Sequence, residues 1–400
     1  SFSSDSRSLY FLTDEGSEFT HLKRLDIASA ASENIEQAPW DIVFASFSRN
    51  GRYRVIGINE DAKTSIKVYD NATNHLVELP KFPDGEITAV NISRTEKLMS
   101  FYLNGSRSPN NLYVFDFETK QYHRLTSTMN PEIDPEDLVE GTVVRYKSFD
   151  GLDIPAVYYK PHQVKAGGKA PALVCVHGGP GGQARVGYSA LKQFLVNHGF
   201  AIIDVNNRGS SGYGKTFMKM DDRKHGDVDL SDCVEAKKFL VSTGSTDEKK
   251  IGILGGSYGG YMVLAALAFR PQEFAAGVDL FGVANWVRTL RSIPPWWQAF
   301  KKALYEEMGD PDADSAYLYK ISPLFHAENI VKPLIVLQGA NDPRVLKVES
   351  DEMVEKAKKN GVPVEYIVFP DEGHGFVKKE NEMRGYDAVL AFLEKNLRGH

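Results

Sequence analysis

The residues best suited to chemistry lie in Gly255-Gly-Ser-Tyr-Gly-Gly260, where one hydroxyl stands among four glycines. An apolar run, Ile251–Leu254, precedes it, and a helical pattern begins near Tyr261. Gly-x-Ser-x-Gly between a strand and a helix is the pattern of a nucleophilic serine held on a sharp bend. Small neighbours let strand and helix pass closely, the bend lifts the serine Oγ above the sheet, and the helix N-terminus favours developing negative charge. A plain glycine-rich turn is the alternative, and the strand–turn–helix context argues against it.

A serine needs a base, and the base needs a group that orients it. On such a bend the partners follow in the chain order Ser, acid, His. Only His326, His374 and His400 come after Ser257. His374 lies in Asp371-Glu-Gly-His-Gly-Phe376, between the last apolar run and the last helical pattern, and is the expected base. His326 falls in an irregular region and His400 is the final residue. Asp342 closes Leu334-Ile-Val-Leu-Gln-Gly-Ala-Asn-Asp342 and is the expected acid, with Asp279 at the end of an earlier strand as runner-up. Asp371 shares the loop of His374 and reads as a surface-turn residue.

An acyl-transfer oxyanion needs fixed donors, each typically worth about 2.7–4 kcal/mol in the transition state. The backbone N–H of Tyr258 is one. The loop in Val174-Cys-Val-His-Gly-Gly-Pro-Gly-Gly182 offers the other, from Gly178 or Gly179. His177 precedes the nucleophile in the chain, so a loop-shaping role is expected of it. One competing motif is present: Gly209-Ser-Ser-Gly-Tyr-Gly-Lys-Thr216 matches the phosphate-cradling pattern Gly-x4-Gly-Lys-Thr. Such a loop should open a sustained helix, whereas the polar, glycine-broken stretch Asp221–Asp227 follows soon after.

The elements that must position these residues follow from periodicity. From about Glu140, two strands joined at Asp150-Gly151 form a hairpin signal. Apolar runs at 172–176, 201–205, 251–254, 275–280, 334–337 and 364–369 then alternate with helical patterns at 191–197, 230–241, 261–268, 348–358 and 385–397. This alternation predicts a doubly wound, mostly parallel sheet. With the serine bend on it, the expected class is an α/β hydrolase fold over residues 136–400.

Residues 1–135 repeat. Ser3, Ser48 and Ser93 are each 45 residues apart, and Asp26, Asp70 and Asp116 are 44 and 46 apart. Short β-branched and aromatic runs lie between these anchors. Several strands per unit of that length predict the blades of a β-propeller. About three blades cannot close a ring. The expectation is therefore a partial propeller whose remaining blades lie upstream of Ser1.

The 400 residues carry a net charge of −6 and are 42% hydrophobic, enough for sizeable cores. That charge gives no reason to expect nucleic acid as a partner. No apolar run approaches the roughly 18–20 residues of a membrane span. Cys175 and Cys233 lie in strand-like and helical runs, and neither makes a metal or redox spacing. The expectation is a soluble protein of the cytoplasm or a bacterial periplasm, a choice left open by the apparently missing N-terminal segment. The expected partner is a peptide or small ester substrate.

With these residues in place, 140–400 resembles the serine peptidases of the prolyl oligopeptidase family, in the branch near acylaminoacyl peptidases and dipeptidyl aminopeptidases. The resemblance rests on His177-Gly-Gly-Pro180, Asn206-Asn-Arg-Gly-Ser-Ser-Gly-Tyr-Gly214, Gly255-Gly-Ser-Tyr-Gly-Gly260, Asn341-Asp-Pro-Arg-Val345 and Glu372-Gly-His-Gly-Phe376. It absorbs the phosphate-loop match, since that stretch belongs to the family pattern. It implies a propeller ahead of the hydrolase domain and a triad of Ser257, Asp342 and His374. It also implies oxyanion donors on Tyr258 and Gly179, and needs no cofactor or metal. Trp286 corresponds to the apolar pocket for the side chain before the scissile bond, with Trp296 and Trp297 as further candidates. Peptide hydrolysis is expected, with carboxylesterase activity as the alternative and a propeller binding module with a silent hydrolase domain as another. The resemblance is compatible with a homo-oligomer, for which no motif here argues.

Overall fold

A computed structural model describes residues 1–3, 5–164 and 167–399. Three antiparallel sheets come first. β1 (Ser8–Thr13), β2 (His21–Asp26) and β3 (Ser32–Glu36) form one; β4 (Ile42–Phe47), β5 (Tyr53–Glu60), β6 (Lys63–Asp70) and β7 (His75–Leu76) the second. β8 (Glu86–Ile92), β9 (Leu98–Gly105), β10 (Ser108–Asp116) and β11 (Tyr122–Arg124) form the third.

The repeat has a local cause. Ser3, Ser48 and Ser93 each accept, through Oγ, the backbone N–H five residues on: Ser8 at 2.9 Å, Tyr53 at 2.8 Å and Leu98 at 3.1 Å. Asp26, Asp70 and Asp116 each accept a backbone N–H of the turn that follows them, from Ser29, Ala72 and Glu118. The repeated letters are thus the side chains that close the turns of each sheet. Between the sheets, Leu22, Ile42, Ile56 and Ile58 form one core, and Tyr53, Val55, Val68, Met99, Phe101 and Phe115 belong to another.

An eight-stranded sheet follows. β12 (Thr142–Lys147) neighbours β13 (Asp153–Tyr159), which runs antiparallel to β15 (Ala201–Val205). From β15 the order continues through β14 (Ala170–Val176), β16 (Thr246–Gly256), β17 (Gly277–Leu280), β18 (Leu334–Gly339) and β19 (Val364–Phe369), all parallel. β14, β17 and β18 are buried along their whole length, as two-sided helix cover requires. The helices are α1 (Ala190–Asn197), α2 (Lys215–Met218), α3 (Val228–Ser242), α4 (Tyr258–Phe269), α5 (Trp286–Arg291), α6 (Gln298–Met308), α7 (Ser315–Ile321), α8 (Lys347–Lys359) and α9 (Lys379–Leu393). This is the α/β hydrolase fold expected from the alternation, preceded by blade-like sheets.

Two differences are instructive. The stretch between β17 and β18, expected to be irregular, holds α5, α6 and α7. α5 and α7 are short, and α6, although Phe300, Leu304 and Met308 recur at helical spacing, buries only Met308. α9 starts at Lys379, six residues before the expected Gly385, because its first turns are polar and solvent-facing. The chain divides into two compact units, residues 1–143, 185–193 and 211–218 in one and the remainder in the other. Among the described residues, no helix is long and apolar enough to cross a membrane.

Candidate active site

Ser257 follows β16 directly and caps α4 with φ 59° and ψ −117°, a left-handed conformation rare for a residue with a Cβ. Its N–H donates to Leu280 O at 2.9 Å, tying the bend to the end of β17. The glycines around it are a steric requirement. A Cβ on Gly259 would lie 2.0 Å from Val176 O, and one on Gly255 would lie 2.4 Å from Gly259 C. Strand and helix could not approach this closely otherwise.

The side chains of Ser257, His374 and Asp342 form a continuous hydrogen-bonded chain. His374 Nε2 is 2.9 Å from Ser257 Oγ, and His374 Nδ1 is 2.7 Å from Asp342 Oδ2. Asp342 is 5% exposed and its Oδ1 accepts the N–H groups of Arg344 (2.8 Å) and Val345 (3.0 Å). One carboxylate oxygen holds its own turn while the other faces the imidazole. The carboxylate can only accept, so Nδ1 carries the proton and Nε2 is free to accept from the serine. The Phe281 ring, 4.9 Å from the His374 ring, fills the space after β17 that separates the serine and aspartate strands.

Asp279, the other candidate acid, accepts from Gly282 N–H at 2.8 Å and is 1% exposed. Burial pushes its carboxyl well above the usual range, which disfavours the ionised form that would orient an imidazole. Asp371 is on the surface, paired with Lys378 and Asn381. His326 stacks edge-on against Phe269, the last residue of α4, while Ser257 precedes that helix. His177 bonds Gly178 O through Nδ1 and Ser210 Oγ through Nε2, both at 2.8 Å. It thereby pins the glycine loop to the segment after β15. A Cβ on Gly178 would stand 3.6 Å from Ser257 Cβ, so this loop borders the serine.

Trp286 is 3% exposed and packs against Tyr258 and Tyr261, with ring centroids 6.0 and 5.1 Å apart. Trp297 lies under the Arg344 guanidinium at 4.9 Å, and Trp296 is exposed. In the phosphate-loop look-alike, Lys215 pairs with Asp14 and Thr216 bonds Glu18, so acids occupy the groups a phosphate would need. α2, which that loop opens, is four residues long.

Three features escaped the sequence. Glu372, 2% exposed, accepts Val377 and Lys378 N–H at 3.0 and 2.9 Å and Asn381 Nδ2 at 2.8 Å, bracing the loop of His374. Arg208 is clamped by Asp232 and Asp150, which holds the Asn-Asn-Arg-Gly turn in place. Finally, the Tyr258 hydroxyl donates to Asp229 Oδ2 at 2.5 Å and lies 2.7 Å from His225 Nδ1. Burial pushes Asp229 up to about 6 and His225 down to about 4. The Glu307 backbone carbonyl beside the ring opposes the histidine shift. The only local signal was the i, i+4 spacing of Asp221, His225 and Asp229, which solvated helices share.

The sequence profile of the prolyl oligopeptidase family matches residues 187–400, more than half of the chain. Dipeptidyl aminopeptidase BIII of Pseudoxanthomonas mexicana is 33% identical over 99% of this chain. The chain belongs to the prolyl oligopeptidase family. Within it, the acylamino-acid-releasing enzyme of Arabidopsis thaliana is 27% identical, over 60% of this chain and 32% of that protein. Among family structures, a puromycin-hydrolyzing peptidase of Mycobacterium tuberculosis superimposes with a TM-score of 0.89 at 24% identity, over 98% of this chain and 60% of that one. The chain spans 59% of the length of the Pseudoxanthomonas family member.

Proposed function

We propose that this chain carries the machinery of a serine peptidase acting on short peptides, in the manner of dipeptidyl and acylaminoacyl peptidases. The observation that supports this reading best is the Asp342–His374–Ser257 hydrogen-bonded chain at the strained bend. Ser257 Oγ attacks the scissile carbonyl while His374 Nε2 takes its proton, and the carbonyl electrons move onto oxygen. Asp342 holds Nδ1–H and stabilises the imidazolium that forms. The N–H groups of Tyr258 and Gly179 receive the oxyanion. Its collapse breaks the C–N bond, and the amine leaves with the proton from His374. Water then attacks the acyl-serine, gives its proton to His374, and the acid departs as Ser257 is reprotonated. Trp286, behind Tyr258, backs the pocket for the side chain before the scissile bond.

A fluorophosphonate probe is expected to label Ser257, located by peptide mass spectrometry. Cleavage of acyl-peptide and free-amino dipeptide anilides should disappear in Ser257→Ala. Hydrolysis that survives this substitution would overturn the assignment. Turnover of p-nitrophenyl esters without any anilide would make the enzyme an esterase.

A further inference from the structure

Close behind the proposed oxyanion residue lies a set of ligating groups that the hydrolysis does not use. A ring nitrogen of His225 and one carboxylate oxygen each from Asp221 and Glu307 lie within 4.8 Å of one another. His225 and Asp221 are 0% and 1% exposed. Neither His225 Nε2 nor Asp221 Oδ1 has a hydrogen-bond partner. Burying such atoms unpaired is costly, so they point to a missing partner in their midst.

The hydrogen bonds around the imidazole say what that is. The Tyr258 hydroxyl gives its proton to Asp229 Oδ2 and can therefore only accept from His225 Nδ1. Nδ1 then carries the ring proton, and Nε2 presents a lone pair. Asp221 Oδ2 stands 3.5 Å from Nδ1, and a cation held among the histidine and the two carboxylates would satisfy the atoms left unpaired. The arrangement also matches the usual support of a metal-bound imidazole, whose second nitrogen donates to a fixed oxygen. One imidazole and two carboxylates suit zinc or a similar first-row divalent ion, whereas an all-oxygen shell would suit calcium or magnesium.

We infer that Asp221, His225 and Glu307 form a binding site for a divalent transition-metal ion, with zinc the preferred occupant. The ion would join α6, which carries Glu307, to the turn before α3 and, through His225, to the hydroxyl of Tyr258. Its role is to hold these elements together; it stands apart from the bond-making steps.

The test is titration of chelator-treated, gel-filtered protein with ZnCl2 by calorimetry, with metal content measured after desalting. One equivalent of zinc per chain is expected, with a rise in Tm and weaker binding of Mg2+ and Ca2+. Glu307→Gln and Asp221→Asn should each weaken zinc binding by about tenfold or more. Glu307 is the less buried of the two, so its variant is the one expected to keep its circular dichroism spectrum. Absence of saturable zinc binding, or binding unchanged in a folded Glu307→Gln protein, overturns the proposal. Neither reading depends on peptide hydrolysis.

Discussion

Ser257 adopts φ 59° at the start of a helix, and only the fixed strand and helix on either side keep it there. A strained backbone of this kind costs about 1–3 kcal/mol. Glycine tolerates the conformation but gives back about 0.5–1 kcal/mol through the entropy of its unfolded chain. Ser257→Gly should therefore be more stable than Ser257→Ala by about 1 kcal/mol, while both lose hydrolysis. Urea denaturation of the two variants measures the difference; equal stabilities would mean that the bend is not strained. The same reasoning separates the two candidate acids. Asp342 keeps one oxygen for its own turn and offers the other to His374, whereas Asp279 is sealed beside Gly282, where burial disfavours its ionised form.

At the scale of elements, the site is a set of strand ends. β16, β18 and β19 deliver Ser257, Asp342 and His374 from the same edge of a parallel sheet, where ligands of such sheets gather. The loop after β19 must fold back over β18 to bring the imidazole to the serine, and Glu372 secures that fold. Its carboxylate receives two backbone N–H groups just before α9. Glu372→Ala should cost about 1–3 kcal/mol by leaving these donors unpaired. It should also lower kcat with little change in KM, because the loop carries the base and is not proposed to bind substrate. Thermal melts and steady-state kinetics check both, and an unchanged kcat would show that the loop holds its shape without the carboxylate. The strands and α4 were legible because each has a short-range signature. α5 and α7 were not, because they are brief, and α5 is fixed by distant partners. Glu349 of α8, for example, accepts Ala284 and Asn285 N–H and the Thr289 hydroxyl at the start of α5.

At the scale of the whole molecule, buried acids tie stability to pH. Burial raises Asp279 well above its unfolded value near 3.8. Across the window from about 4 up to that raised value, the native state therefore holds a proton the unfolded state has lost. Stability then falls as pH rises, by about 1.4 kcal/mol per unit for one such proton. Asp279→Asn keeps the shape and removes the titration. As pH rises above about 4, its stability should decline less steeply than that of the parent, by up to that slope. Chemical denaturation at several pH values gives the comparison, and parallel curves would mean that Asp279 is not protonated in the native state.

The sequence by itself determined what depends on near neighbours. The serine bend, the alternation of strands and helices, and the 45-residue repeat all follow from residues a few positions apart, where backbone geometry acts directly. Even the repeat's serines and aspartates act within five residues of themselves. Tertiary structure decided which carboxylate meets His374, and it gathered Asp221, His225, Asp229, Tyr258 and Glu307 into one buried cluster. Those outcomes depend on strand order and on exclusion of water. Spacing along the chain does not encode either, because contact and desolvation arise only when distant segments pack.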